Sequence, residues 1–231
     1  MAGTKILHGT GLRFRCVLFD LDNTLYDFAS AKEKACKKVI KAIGRGDAYD
    51  LMSNFIFSPY GVENPRVIKD YLAGYNITDE EVVSEAVRIY VSTKMAEIVP
   101  YPGVYDTLIK LDNAGLKIGA VTNASTDNAI ERLSKIQVID LLDCLVTPEN
   151  SGFRKPDSAI FIHTSALLQV EPHQTLFVGD NLVNDIRPAS QTGMCTVHAK
   201  YGDRLPPEYS EGIVPDYSIS AFPEILNIIG L

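Results

Sequence analysis

Cys16-Val-Leu-Phe19-Asp20-Leu-Asp22-Asn-Thr24-Leu25 is the stretch whose reading decides the fold. Cys16 to Phe19 is a short, continuous apolar run, which reads as a strand buried on both faces in a parallel sheet. It ends on Asp20. In open α/β sheets, ligands bind beyond the carboxyl ends of strands, so Asp20 is placed where chemistry happens. Asp22, in the following turn, reaches the same space. Such a pair suits phosphoryl transfer: one carboxylate attacks phosphorus and the other handles the proton of the leaving alcohol. An acidic turn after a strand is also common, so this stretch alone leaves the plain reading open.

Further apolar runs follow at Lys117–Val121, Cys144–Val146, Thr175–Val178, Cys195–Val197 and Tyr217–Ile219. Helical patterns separate them, at Val104–Ala114, Asp127–Ile136 and Asp157–Leu168. Alternation of this kind predicts βαβ units and an α/β, doubly wound parallel sheet. Phe28 to Val99 differs, with helical spacing and no convincing buried strand. Ser30-Ala-Lys-Glu33 and Thr78-Asp-Glu-Glu81 read as capping boxes opening two of its helices. The expected organisation is a core of residues 1–27 and 100–231 with an all-helical insert, 28–99. The links near Tyr26-Asp27 and Pro100–Gly103 are suited to act as hinges.

Other functional groups stand after strands. Thr122-Asn123 follows Val121, where a hydroxyl and the N–H groups of a turn can bind a phosphate oxygen. Lys155 precedes a helix and could neutralise Asp20 and phosphoryl oxygens. Asp180 follows Gly179, and Asp185 comes five residues later; carboxylate oxygens suit Mg²⁺. Each has a plain alternative: a β-branched strand end, an exposed loop lysine, a helix N-cap at Asp185. Their recurrence at successive strand ends favours the functional reading.

The set Phe19-Asp-Leu-Asp-Asn-Thr24, Val121-Thr-Asn123, Arg154-Lys-Pro-Asp157 and Gly179-Asp-Asn-Leu-Val-Asn-Asp185 resembles the four motifs of the haloacid dehalogenase (HAD) superfamily, in order. The helical insert resembles the cap of the branch that includes phosphoglycolate phosphatase and N-acylneuraminate-9-phosphatase. The resemblance implies a Rossmann-like core, an all-helical cap domain and a Mg²⁺-dependent phosphatase working through an aspartyl-phosphate. It implies Asp20 as nucleophile and metal ligand, and Asp22 as general acid/base with its carbonyl on the metal. Thr122, Asn123 and Lys155 are implied for phosphate, Asp180 for metal, and Asp185 for support of the metal site. A phosphomutase, a 2-haloacid dehalogenase or a non-catalytic binding protein are the alternatives; the acid at Asp22 argues against the dehalogenase.

Composition bounds the partners. The formal net charge is −7 and no basic stripe appears, which disfavours a nucleic-acid polymer. Lys32, Lys34, Lys37, Lys38 and Lys41 read as a solvated helix face. The expected partner is a small phosphorylated metabolite: a sugar phosphate, phosphoglycolate or a nucleoside monophosphate. Cys16, Cys36, Cys144 and Cys195 have no ligand spacing and read as reduced thiols of a cytoplasmic protein. No signal peptide and no membrane-spanning apolar run is visible. His8, His163, His173 and His198 fit no motif and are assigned structural or surface roles. Tyr49, Phe55, Phe57 and Tyr60 are expected mostly to pack the core of the insert.

Overall fold

The computed structural model describes residues 13–231. Along the chain come β1 (Cys16–Phe19), α1 (Phe28–Ile43), α2 (Ala48–Ile56), α3 (Arg66–Ala73), α4 (Glu80–Ala96), α5 (Val104–Asn113), β2 (Lys117–Val121), α6 (Thr126–Lys135) and β3 (Cys144–Val146). Then follow α7 (Pro148–Ser151), α8 (Ala159–Leu168), β4 (Thr175–Gly179), α9 (Arg187–Gln191), β5 (Cys195–Ala199), β6 (Tyr217–Ile219) and α10 (Ile225–Ile229). Among the described residues the strands form one six-stranded sheet in the order β3-β2-β1-β4-β5-β6. Every pairing is parallel.

This is a doubly wound sheet, and its order reverses between β1 and β4. The crevice at such a switch point is where α/β proteins bind ligands. β1 lies in the middle because all four of its residues are apolar and fully buried. Its side chains alternate between faces. Cys16 and Leu18 pack with Ile160, Phe161 and Leu168 of α8 and with Phe177 of β4. Phe19 points the other way, its ring 5.4 Å from that of Phe222. Register then sets the site: Phe19 pairs Ala120 on one side and Val178 on the other, so the ends of β1, β2 and β4 fall together.

The chain divides into two compact units, one ending at Tyr26 and resuming over Pro100–Leu231, the other Asp27–Val99. In the second, α1 to α4 bury Ala35, Val39, Leu51, Phe55, Ile68, Leu72 and Tyr90 in a core of their own. Phe55 stacks on Tyr90 at 4.6 Å.

Several local expectations need correcting here. α1 starts at Phe28, capped by Asp27, whose carboxylate accepts from the Ser30 N–H at 3.0 Å and the Ser30 hydroxyl at 2.7 Å. Asp79, not Thr78, caps α4, accepting from the N–H groups of Glu81 and Val82. In both places an Asp carboxylate outcompetes a hydroxyl, because its charge strengthens the bond and complements the helix dipole. Lys32 is not on a solvated face: it is 5% exposed and donates to the Val62 carbonyl at 2.8 Å. Lys34, Lys37, Lys38 and Lys41 are exposed. Of the four aromatics expected in the core of this unit only Phe55 is buried; Tyr49 and Phe57 are 78% and 84% exposed, and Tyr60 is 39% exposed.

β2 passes β1 and β3 closely at Gly119, where an added Cβ would lie 2.7 Å from both Cys144 Sγ and Leu18 Cδ2. Overpacking of this kind costs about 1–3 kcal/mol, more than the roughly 0.4–1 kcal/mol gained by restricting the unfolded chain. Gly119→Ala is therefore expected to lower the urea midpoint with an unchanged slope, and an unchanged midpoint would show that the strands can move apart freely.

Candidate active site

Asp20 continues the ladder of β1, its N–H donating to the Val178 carbonyl at 2.9 Å. That bond fixes the carboxylate beside the end of β4, and the residue is 6% exposed. The chain then turns tightly: the N–H groups of Thr24 and Leu25 donate to the Leu21 carbonyl, and Asn23 takes a left-handed φ of 63°, which Asn tolerates better than most residues. The loop after β5 presses on this turn. Tyr201 Oη donates to the Thr24 carbonyl at 2.8 Å. A Cβ on Gly202 would lie 1.7 Å from the Asn23 carbonyl oxygen, so only glycine fits there.

Asp180 follows β4 directly and is 7% exposed. After it, Leu182–Ile186 forms a π-helical turn, a local form frequent at functional sites. Asn181 starts this turn, its Oδ1 accepting from the N–H groups of Val183 and Asn184. The helix N-cap alternative for Asp185 is therefore set aside: Asn181 caps, and Asp185 sits inside the turn. Its Oδ2 accepts from the Asn181 N–H at 3.1 Å. A Cβ at Gly179 would stand 2.7 Å from the Asp185 side chain, so the glycine before Asp180 makes room for Asp185.

Lys155 joins these groups. Its ammonium donates to Asp20 Oδ1 and lies 2.7 Å from Asp185 Oδ1, with 5% exposure. Asn123 anchors the lysine's backbone: its Nδ2 donates to the Lys155 carbonyl at 2.8 Å and its Oδ1 accepts from the Lys155 N–H at 2.9 Å. Both the nitrogen and the oxygen of that amide thus hold the Lys155 backbone, leaving one Nδ2–H for another acceptor. Thr122, at the end of β2, is buried, and its hydroxyl accepts from the Ala124 N–H at 3.1 Å. The Thr24 hydroxyl stands 3.4 Å from Asp20 Oδ2 and from Asp180 Oδ1.

Burying these carboxylates together changes their proton affinity. Burial, opposed by Lys155 and reinforced by Asp185, pushes Asp20 up to about 6. Burial first, then Asp20 and Asp185, pushes Asp180 well above the usual carboxylate range. Burial alone would lower Lys155, but Asp185 and Asp20 outweigh it and hold the ammonium firmly protonated. Asp20, Asp180 and Asp185 each offer an oxygen, and these oxygens lie within 4.8 Å of one another. Three buried carboxylates facing one ammonium leave negative charge to be neutralised. An all-oxygen donor set fits a hard divalent cation such as Mg²⁺.

Asp22 is engaged elsewhere. Arg132, in α6, reaches it with Nη1 at 2.9 Å from Oδ1 and 3.1 Å from Oδ2. Tyr26 Oη donates to Oδ1 at 2.7 Å. Arg132 and Tyr26 are both fully buried. Neither is singled out by the sequence motifs. The signal for Arg132 was present: it lies in the apolar stripe of α6 with Ala129 and Leu133, and a cation on the buried face of a helix needs a partner. Of the histidines, His198 touches the site's framework, with Nε2 3.1 Å from the Asp180 carbonyl oxygen and 3.0 Å from Asp203 Oδ2. His163 is partly buried near Phe153, His173 is exposed, and His8 lies outside the described residues.

Comparison with known proteins gives this arrangement relatives. The model of the haloacid dehalogenase-like hydrolase family matches residues 17–199. A glyceraldehyde 3-phosphate phosphatase of Methanopyrus kandleri is 34% identical over 227 residues, covering 93% of this chain and 97% of that protein. A phosphoglycolate phosphatase of Nitrosospira multiformis is 28% identical over 207 residues, covering 87% of each. Among solved structures, the HAD-hydrolase YfnB of Bacillus subtilis, described as bound to magnesium, superposes with a TM-score of 0.74 at 20% identity, covering 95% of this chain and 100% of that one. This chain belongs to the haloacid dehalogenase-like hydrolase family.

Proposed function

We propose that this phosphatase hydrolyses small phosphate monoesters with Asp20 as the nucleophile and Mg²⁺ as its cation. The observation that carries this reading is the buried cluster itself: Asp20 at the end of β1, with Asp180, Asp185 and the ammonium of Lys155 around it. Family membership and relatives named as phosphatases support the hydrolysis of a phosphate ester.

In the reaction, an Asp20 oxygen attacks phosphorus as the bond to the ester oxygen breaks, and Asp22 gives the departing alkoxide its proton. Water then attacks the phosphorus of the aspartyl-phosphate while Asp22 takes a proton from it. The P–O bond to Asp20 breaks, releasing phosphate and the free carboxylate. Lys155 neutralises charge on the transferring oxygens, and Thr122 with the N–H groups after it supplies donors. The cation would be held by Asp20, Asp180 and the Asp22 carbonyl, with Asp185 orienting Lys155 and the turn after Asp180. When bound, it supplies further positive charge at the phosphoryl group.

For substrate we place compounds of two or three carbons, with glyceraldehyde 3-phosphate and phosphoglycolate first, by likeness to the relatives bearing those names. The helical unit Asp27–Val99 we take as a cap domain, and its exposed aromatics include Tyr49, Phe57 and Tyr60. Free Cys16, Cys36, Cys144 and Cys195 support a reducing setting such as the cytoplasm. No helix among the described residues is long and apolar enough to cross a membrane.

Two outcomes test this. Asp20→Asn should lower phosphate release from glyceraldehyde 3-phosphate or p-nitrophenyl phosphate by several powers of ten, about 10⁴-fold or more, with the circular dichroism spectrum unchanged. Activity within about tenfold of the parent would remove Asp20 as nucleophile.

The second concerns pH. Asp20, raised by burial to about 6, and Asp180, also raised by burial and by Asp20 and Asp185 beside it, hold protons in the metal-free fold at a pH where the unfolded chain has lost them. For a carboxyl whose folded pKa is raised, stability is greatest below the unfolded pKa and falls as pH climbs to the folded one. A cation must displace those protons, so its affinity falls as pH drops. The rise in Tm caused by Mg²⁺ should therefore be small near about pH 5 and grow up to about pH 7. A rise independent of pH would mean that these carboxylates do not bind the cation.

A further inference from the structure

The buried pair of Arg132 and Tyr26 has no place in the cluster around Asp20, yet both meet on one carboxylate. Asp22 Oδ1 accepts from Arg132 Nη1 at 2.9 Å and from Tyr26 Oη at 2.7 Å, and Oδ2 lies 3.1 Å from the same Nη1. The two donors come from different parts of the core unit. Tyr26 closes the turn that carries Asp22, and the two residues form a β-bridge. Tyr26 also bridges Pro100, where the chain re-enters this unit. Arg132 belongs to α6, far along the chain, among Ala129 and Leu133.

For stability alone, a fully buried guanidinium is a poor choice. Removing it from water costs several kcal/mol, and an apolar side chain filling the stripe of α6 would often do as well or better. Donors placed on both oxygens of one carboxylate do something an apolar residue cannot: they fix its χ angles. The side chain of Asp22 is nonetheless 24% exposed, so it is held and still reachable.

We infer that Arg132 and Tyr26 are positioning residues that hold the Asp22 carboxylate in the orientation from which it serves the leaving oxygen. A proton donor works only when its geometry is fixed in advance, and misplacement of a catalytic group by about 1 Å costs up to about a hundredfold. The inference rests on Asp22 being the acid of the proposed reaction.

The test is a mutant cycle read through kcat/KM, which covers events up to departure of the alcohol. An aryl ester, p-nitrophenyl phosphate, leaves with little help from an acid; an alkyl ester, glyceraldehyde 3-phosphate, needs it. Asp22→Asn tests the underlying reading: it should lower kcat/KM about a hundredfold or more for the alkyl ester and far less for the aryl ester. If it lowers both alike, Asp22 is not the acid, and the proposed mechanism fails first. With that split observed, Tyr26→Phe keeps the buried ring and removes only the hydroxyl. It should lower kcat/KM about tenfold for the alkyl ester and less than about threefold for the aryl ester, with little change in KM. Arg132→Lys, which keeps the charge and loses the reach, should show the same selective loss. In the Asp22→Asn background, Tyr26→Phe should add nothing. Three results would each overturn the inference: equal loss on both esters, a Tyr26→Phe effect that persists without Asp22, or faster turnover of the alkyl ester in Tyr26→Phe. The last would mean that the pair parks Asp22 away from its work.

Discussion

The ammonium of Lys155, shared between Asp20 and Asp185, is the interaction on which the rest of the site depends. Three carboxylates buried side by side repel one another and lose their hydration. Without a cation among them, the ends of β1 and β4 could not carry ionised Asp20 and Asp180 together. One lysine lessens the cost without removing it, as the raised proton affinities of Asp20 and Asp180 show. The imbalance that remains is an attraction for a divalent cation, whose charge would in turn offset the repulsion between these carboxylates and an anionic phosphate ester. Much of the surrounding framework serves to place that lysine. Asn123 turns both its amide nitrogen and its amide oxygen to the Lys155 backbone, and Gly179 leaves the space in which Asp185 meets it.

Around this cluster the sheet acts as a ruler. Parallel pairing of Phe19 with Ala120 and Val178 aligns strand ends to within a residue or two, so groups far apart in sequence converge without long side chains. That explains how much was legible beforehand. Each strand is a short apolar run ending in a polar group, and Cys16–Phe19, Lys117–Val121, Cys144–Val146 and Tyr217–Ile219 coincide with their runs. β5 extends two residues beyond its run to Ala199, taking in His198, because a ladder with Tyr217–Ile219 continues past the apolar stretch.

What was not legible has a common physical cause. Caps depend on which of several nearby oxygens reaches the N–H groups first, and Asp27 and Asp79 displaced the hydroxyls that motif spacing had favoured. Exposure of Tyr49 and Phe57, and burial of Lys32, follow from helix packing in the Asp27–Val99 unit, which periodicity alone does not determine. Arg132 shares the buried stripe of α6 with Ala129 and Leu133, but only the fold brings it to Asp22. The consequence is a division of labour within the core unit. Asp20 is governed by charge shared with Lys155, Asp180 and Asp185, whereas Asp22, two residues on, is held by a separate buried arginine and a tyrosine. The two carboxylates can thus be tuned apart although they occupy one turn.

The claim at the centre of this account is that Asp20 becomes phosphorylated during turnover. Because water needs the Asp22 base to attack the intermediate, Asp22→Asn is the form in which it should accumulate. That variant, loaded with Mg²⁺, mixed with p-nitrophenyl phosphate and quenched in acid, is to be digested and its peptides weighed by mass spectrometry. The account predicts one added phosphoryl group on the peptide containing Asp20 and on no other. An unmodified Asp20 peptide while p-nitrophenol is released, or a phosphoryl group on another residue, would contradict it.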